Sequence, residues 1–283
     1  MSDFHAFARG CGVLIGRLVA DGKIHRCGTV DHPKSKNGAW CFDGRRGWAM
    51  AWDAGEDVQW FGGDAEWTEA DKAEWKARQD AARAYQARLQ QKAAARAREL
   101  LDSCALMRHG YLRFKGFPEE RGLVTPDEVL VIPMRVDRTS TLLGAQTIHW
   151  DAESRQWVKK MLYGMRAKGA IHRMGRYGQE TVLCEGYATG LSIQAAIDMM
   201  RIDASVLVCF SAQNMKHVAT QTPGRVLIAA DNDASGTGER IARETGKPWA
   251  MPPTVGHDFN DMHMAEGLVP VCRALMELRR LAA

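Results

Sequence analysis

From residue 179 onward, short apolar runs alternate with helix-like segments, and this alternation constrains the fold more than any other feature. ETVLCE, SVLVCFS and RVLIAAD read as buried strands, each followed by a helix: ATGLSIQAAIDMM, AQNMKHVATQ and GTGERIARET. PWAMPP then reads as extended, and the tail from about Leu268 as helical. Such alternation builds a parallel sheet with crossover helices. It also sets acids where strands end: Glu185 in TVLCEGYATGLS, Asp231 and Asp233 in VLIAADNDASG, then Asp258 and Asp261 in HDFND. Open α/β sheets place their sites at the carboxyl ends of strands.

Asp231 and Asp233 are separated by one residue, so a strand continuing through both would point both side chains to one side. A parallel neighbour ending at Glu185 would add a third carboxylate. Three acids that close repel one another unless a positive charge sits among them. The expected counter-charge is Mg²⁺ or Mn²⁺, hard cations that take oxygen ligands and handle phosphate oxygens. Taken singly, each acid reads more readily as a helix N-cap or turn former; the set together points to the cation.

Four segments are expected. Residues 1–64 are rich in Gly and Trp with short polar–apolar alternation, which reads as a small β-rich module. Cys11, His25, Cys27, His32 and Cys41 fall within it, but without the paired spacing of structural zinc sites, so zinc is disfavoured. Residues 65–107 turn to Ala, Arg, Lys, Gln and Glu and read as a long charged helix. Its expected start is at Thr68 and Asp71, and its narrow apolar stripe is Trp75, Ala82, Tyr85 and Leu89. A solvated connector is the plain reading, a nucleic-acid-contacting helix the sharper one. Residues 108–178 return to strand-like alternation, with links too short for crossover helices, so antiparallel pairing is expected. Residues 179–283 form the α/β domain.

Charge is distributed unevenly. The net charge is only +4, yet between Arg155 and Gln179 there are seven Lys or Arg and no acid, interleaved with Trp157, Tyr163 and Tyr177. A solvated basic face would look similar. Cations mixed with aromatics also suit a single-stranded nucleic acid, through charge and base stacking. No run approaches the ~18 apolar residues of a membrane span, so no membrane partner is expected. The first residues lack the apolar core of a signal peptide, and the seven cysteines include no CxxC pair. A cytoplasmic chain with reduced thiols is expected.

At Glu185-Gly186, at Asp231-Asn232-Asp233 with Gly236 and Gly238 after it, and at DFND, the chain resembles the Toprim family. More narrowly, EGYATGLS and AADNDASGTG are similar to the Toprim proteins of phage and mobile-element primases. YLRFKGFP, VIPMR, GAQTIHW and KKMLYGMRAKGAIHRMG resemble the segment that precedes Toprim there, so the likeness covers roughly residues 108–267. It implies an α/β Toprim domain, a parallel sheet flanked by helices, preceded by an α+β primase-core-like subdomain; the long helix and the small β-rich N-terminal module read above stand ahead of these. It implies a stand-alone DNA primase that makes short RNA primers from ribonucleoside triphosphates on a single-stranded DNA template. The alternatives are a Toprim-type metal-dependent nuclease or a non-catalytic nucleic-acid-binding Toprim protein. Carried over residue by residue, Asp231 and Asp233 hold the divalent metal and Glu185 joins them or acts as acid/base. Asp258 and Asp261 complete the acidic ring. Lys115, Lys159, Lys160, Arg166, Lys168 and Arg173 are the implied nucleotide or nucleic-acid contacts, Lys159 and Lys160 foremost. His172 and His257 read as structural histidines rather than ligands. The chain departs from the family in having no Cys-rich zinc ribbon and no GxxxxGK[ST], so a separate replicative helicase is implied as a partner.

Overall fold

A computed structural model describes residues 3–52, 57–62 and 69–281, with the backbone alone at 69–72, 74 and 75. Thr68 and the side chains of Asp71 and Trp75, read above as part of a helix start and stripe, lie outside the described residues. The chain divides into two compact units, residues 1–79 and 80–283.

The first unit opens with α1 (Asp3–Gly10), followed by β1 (Val13–Leu14), β2 (His25–Thr29), β3 (Gly38–Phe42), β4 (Gly47–Ala51) and β5 (Gln59–Phe61). The strands form one antiparallel sheet in sequence order. Phe4 and Ala8 of α1 bury themselves against Trp40, Phe42, Ala49 and Ala51, and Phe4 stacks on Phe42 at 4.4 Å. His25 stacks on Trp40 and hydrogen-bonds Asp21 at 2.9 Å.

A single helix, α2 (Glu69–Ser103), carries the boundary between the units. Of the expected stripe, Leu89 is half-buried beside Gly164. Ala82 and Tyr85 are exposed, whereas Ala93 and Ala97 are buried, four residues apart, and Ala97 and Leu101 pack with Val131, Leu142 and Ala145. Small side chains let the helix lie close on the sheet. In so Ala-rich a segment, nothing in the sequence marks which alanines do so.

The second unit continues with β6 (Ala105–Arg108), α3 (Gly110–Phe114), β7 (Arg121–Val124), β8 (Leu130–Val136), β9 (Leu142–Asp151), β10 (Gln156–Met161) and β11 (Ala170–Met174). All their pairings are antiparallel. The short helix α3 replaces the strand-like reading at 110–114; the His109 ring caps it by accepting the Tyr111 N–H. Next come β12 (Glu180–Cys184), α4 (Tyr187–Met200), β13 (Ala204–Val208), α5 (Ala212–Gln221), β14 (Arg225–Ala229), α6 (Thr237–Glu244), β15 (Trp249–Ala250), α7 (Phe259–Glu266) and α8 (Leu268–Leu281).

Ten strands make one sheet with the path β10-β9-β8-β11-β13-β12-β14-β15, and the β6–β7 pair joins at β8. Strand β11 is the hinge of the topology, pairing antiparallel with β8 on one side and with β13 on the other. Residues 108–178 and 179–283 therefore share one hydrogen-bonded ladder. Beyond it, β12 pairs in parallel with both β13 and β14. All five β12 residues are buried, because helices cover both faces. Val182 and Cys184 face the core with α4, α7 and α8, and Leu183 faces the one with α5 and α6. Buried Glu180 bonds Arg225 and Arg279, clipping α8 to the start of the parallel strands.

The chain leaves β12 toward β13 by α4, then returns past β12 to β14 by α5 on the opposite face. A crevice opens between the carboxyl ends of β12 and β14, where the connections diverge.

Helix α4 approaches the sheet closely at Gly190, where an added Cβ would stand 2.7 Å from Val208 Cγ2 and 3.1 Å from Met174 Sδ. Gly190→Ala is expected to lower stability by about 1–3 kcal/mol despite alanine's better helix propensity. A downward shift of the urea midpoint checks this; a rise would show that the packing yields.

Candidate acidic centre at the strand switch point

Glu185 follows β12 directly, and Asp231 lies two residues beyond the end of β14, so both stand at the crevice. Register places Cys184 opposite Ala229, and the two acids occupy neighbouring strand ends. The strand does not run on through Asp233 as the one-residue spacing suggested. Instead the chain turns, and Asp233 caps α6: its carboxylate accepts the N–H groups of Ser235, Thr237 and Gly238, the last at 2.6 Å, together with the Ser235 hydroxyl. These bonds hold its pKa below the ordinary value. Gly238 is required there, since a Cβ would stand 2.1 Å from the Asp231 carbonyl oxygen.

Asp231 is the opposite case. Its Oδ1 is buried and has no hydrogen-bond partner. Burial first, then the charges of Asp258, Glu185, Asp233 and Asp261, push its pKa up to about 7. Glu185 is also raised, by burial and then by Asp233, while the Ala212 N–H at the start of α5 and the Lys159 ammonium pull it down. The loop before α7 closes the ring of acids. Asp258 and Asp261 form a capping box, and the second Asp258 oxygen accepts the Thr189 hydroxyl at 2.9 Å. These two are helix caps by geometry, and their charges still reach Asp231.

The basic residues separate into distinct groups. Lys159 projects toward the acids, its Nζ 5.3 Å from the Tyr111 ring centroid and its charge felt by Glu185. Lys160, its neighbour on β10, points to the other face of the strand. The two are therefore not equivalent, contrary to the expectation from sequence. Lys115 lies 3.7 Å from Asp261. Arg166 and Lys168 are exposed on the connection between β10 and β11. Arg173 is not available to a phosphate: it bonds Asp137 at 2.8 Å and Ser205 at 2.6 Å, and lies over the Tyr177 ring. His172 is likewise structural, half-buried and bonded to the Pro133 carbonyl oxygen, with burial lowering its pKa. His257 offers its own carbonyl to the Asn232 N–H.

Several residues escaped the sequence reading. Thr189 and Ser192 are fully buried polar positions on α4 that hold α7 through Asp258, Asn260 and His263. Their i, i+3 spacing on an otherwise apolar helix face was the available signal. Tyr111 is buried, its hydroxyl without a partner and its pKa pushed up to about 12 by burial.

Residues 180–268 match the Toprim domain. Toprim domains occur in primases, nucleases and topoisomerases and bind divalent metals such as Mg²⁺. No curated protein matches the chain. Among the described residues no helix is long and apolar enough to cross a membrane.

Among the described residues no three His, Cys, Asp or Glu side chains are arranged as a ready-made cage, either here or among the cysteines and histidines of the first unit. Magnesium needs none, since it binds through one or two carboxylates and keeps waters or substrate phosphates as its other ligands. The donors fit it: hard oxygens, one of them buried without a partner on a carboxylate pushed toward neutrality.

Asp231 gives this a measurable signature. Between about pH 4 and 7 the folded chain keeps a proton that the unfolded chain releases, so raising the pH through that window costs stability. Asp231→Asn is expected to stabilise the metal-free protein at about pH 8, by on the order of 2 kcal/mol, with the gain fading toward pH 5. Urea titrations of both proteins across that range check it; a gain independent of pH would contradict the raised pKa.

Proposed function

We propose that the chain is a metal-dependent primase, synthesising short RNA primers on single-stranded DNA in phage or mobile-element replication beside a separate helicase. The observation that carries this reading is that Lys159, set over the Tyr111 ring, lies within electrostatic reach of Glu185. Glu185 belongs to the Toprim domain, Lys159 to the antiparallel strands before it, and a single sheet brings both to one crevice. An acidic centre alone serves cleavage and synthesis equally. A cationic strand beside it supports a reaction in which a triphosphate is held and aligned.

In this mechanism Asp231, with Asp233 at the rim, would hold the metal. When bound, the ion offsets negative charge on the phosphate oxygens. Lys159, cushioned on Tyr111, attracts the triphosphate. Lys115 neutralises Asp261 and keeps the far side of the ring from repelling it. Glu185 receives the proton of the attacking 3′-hydroxyl, since burial and Asp233 strengthen its hold on a proton while Lys159 and the Ala212 N–H favour its ionised form before reaction.

Labelled ribonucleotides, single-stranded DNA and Mg²⁺ or Mn²⁺ supply the test. Short RNA products are expected, reduced about a thousandfold by Asp231→Ala or Asp233→Ala. Shortened DNA in place of RNA, or full activity in both variants, would overturn the proposal. Lys159→Ala is expected to raise the KM for ribonucleotides several-fold, and Lys160→Ala to leave it within about twofold, because only Lys159 faces the acids.

A further inference from the structure

Two adjoining clefts, of about 570 and 450 Å³, run between α5 and the connection from β10 to β11, sharing Lys168 and His217. The first opens at Ser211 and Gln213, just after Phe210, whose N–H bonds the Glu185 carbonyl oxygen at 2.9 Å. The second continues past Arg166 and Arg138 to Gln221 and Thr222, where α5 ends. The channel thus begins beside the acidic centre and follows α5 along its length.

The walls are fixed and positive. Asn214 of α5 accepts the Gly169 N–H at 2.7 Å and donates to the carbonyl oxygens of Ala170 and Cys209, both at 2.8 Å, locking the connection to the helix. The acids nearby are already neutralised: Asp137 is held by Arg173, and Glu244 by Lys216 and Arg240. Arg166 and Lys168 have no ion-pair partner among the described residues. Tyr163, 85% exposed, stands on the same connection. The ten residues of α5 span about 15 Å, more than one mononucleotide fills. Unpaired cations along an elongated floor are features of a single-strand groove, and an exposed ring stands on the connection that walls it.

We infer that this channel binds the phosphate backbone of a single-stranded polynucleotide leading to the acidic centre, and that Arg166 and Lys168 are contacts for the strand rather than for the incoming triphosphate. This rests on the nucleic-acid reading of the centre.

The test is fluorescence anisotropy of the full chain with a labelled oligothymidylate in EDTA, across a salt series, beside a labelled ATP analogue with Mg²⁺. Arg166→Ala/Lys168→Ala is expected to weaken oligonucleotide binding about tenfold and to reduce the salt slope by about 1.4, roughly 0.7 for each phosphate left without its cation. Arg166→Lys/Lys168→Arg is expected to restore both, and ATP affinity to stay within about twofold throughout. The inference falls if the wild-type chain does not bind the strand, if the slope is unchanged in the alanine variant, or if ATP loses as much affinity as the oligonucleotide. Because strand binding is read without metal, a chain that binds by this channel but makes no primer refutes the polymerase reading alone. A chain that primes yet ignores Arg166 and Lys168 refutes the channel alone.

Discussion

A carboxylate buried beside other carboxylates costs free energy, and the structure around Asp231 is organised so that the cost stays local. Its neighbours are each occupied: Asp233 caps α6, Asp258 caps α7 and takes the Thr189 hydroxyl, and Asp261 returns to the Asp258 N–H. Asp231, by contrast, keeps a buried oxygen without a donor. The repulsion thus concentrates on one group, as a raised pKa at the point where two strand ends diverge. A cation there would relieve it, and so would a proton, which is why metal and proton should compete for this position.

The parallel strands and their acids were legible because β12, β13 and β14 are short apolar runs covered on both faces, and such runs stand out whatever surrounds them. The acids then followed from position. Side-chain direction was harder to read. Asp231 and Asp233 keep the spacing of a strand, but the ladder has already ended, and the Asp233 carboxylate is drawn to the free N–H groups of α6. Lys159 and Lys160 look alike in a row of cations, yet the pleat sends them to opposite faces. Arg173 belongs to the same basic run and is spent within the fold on Asp137, a partner 36 residues earlier that no local pattern reveals. On α2, the apolar stripe was a poor guide to the packing face because alanine is common on every side of the helix.

The polar network under α4 has a different role. Thr189, Ser192 and Asn260 contribute no charge, yet they fix α7, and through it the Asp258 carboxylate, against the helix that follows Glu185. Asn260 also reaches the Lys115 carbonyl oxygen at 2.9 Å, tying the segment after α3 to the same loop. The Asp258 carboxylate is thereby held beside α4, and the segment after α3 is tied to the loop that carries it.

Strand β11 has a mechanical consequence. Because it is laddered to both β8 and β13, the cationic strands and the acidic ones cannot swing apart like jaws without tearing backbone hydrogen bonds. Access to the crevice is therefore lateral, along grooves and over loops, and the centre stays stationary as anything enters or leaves.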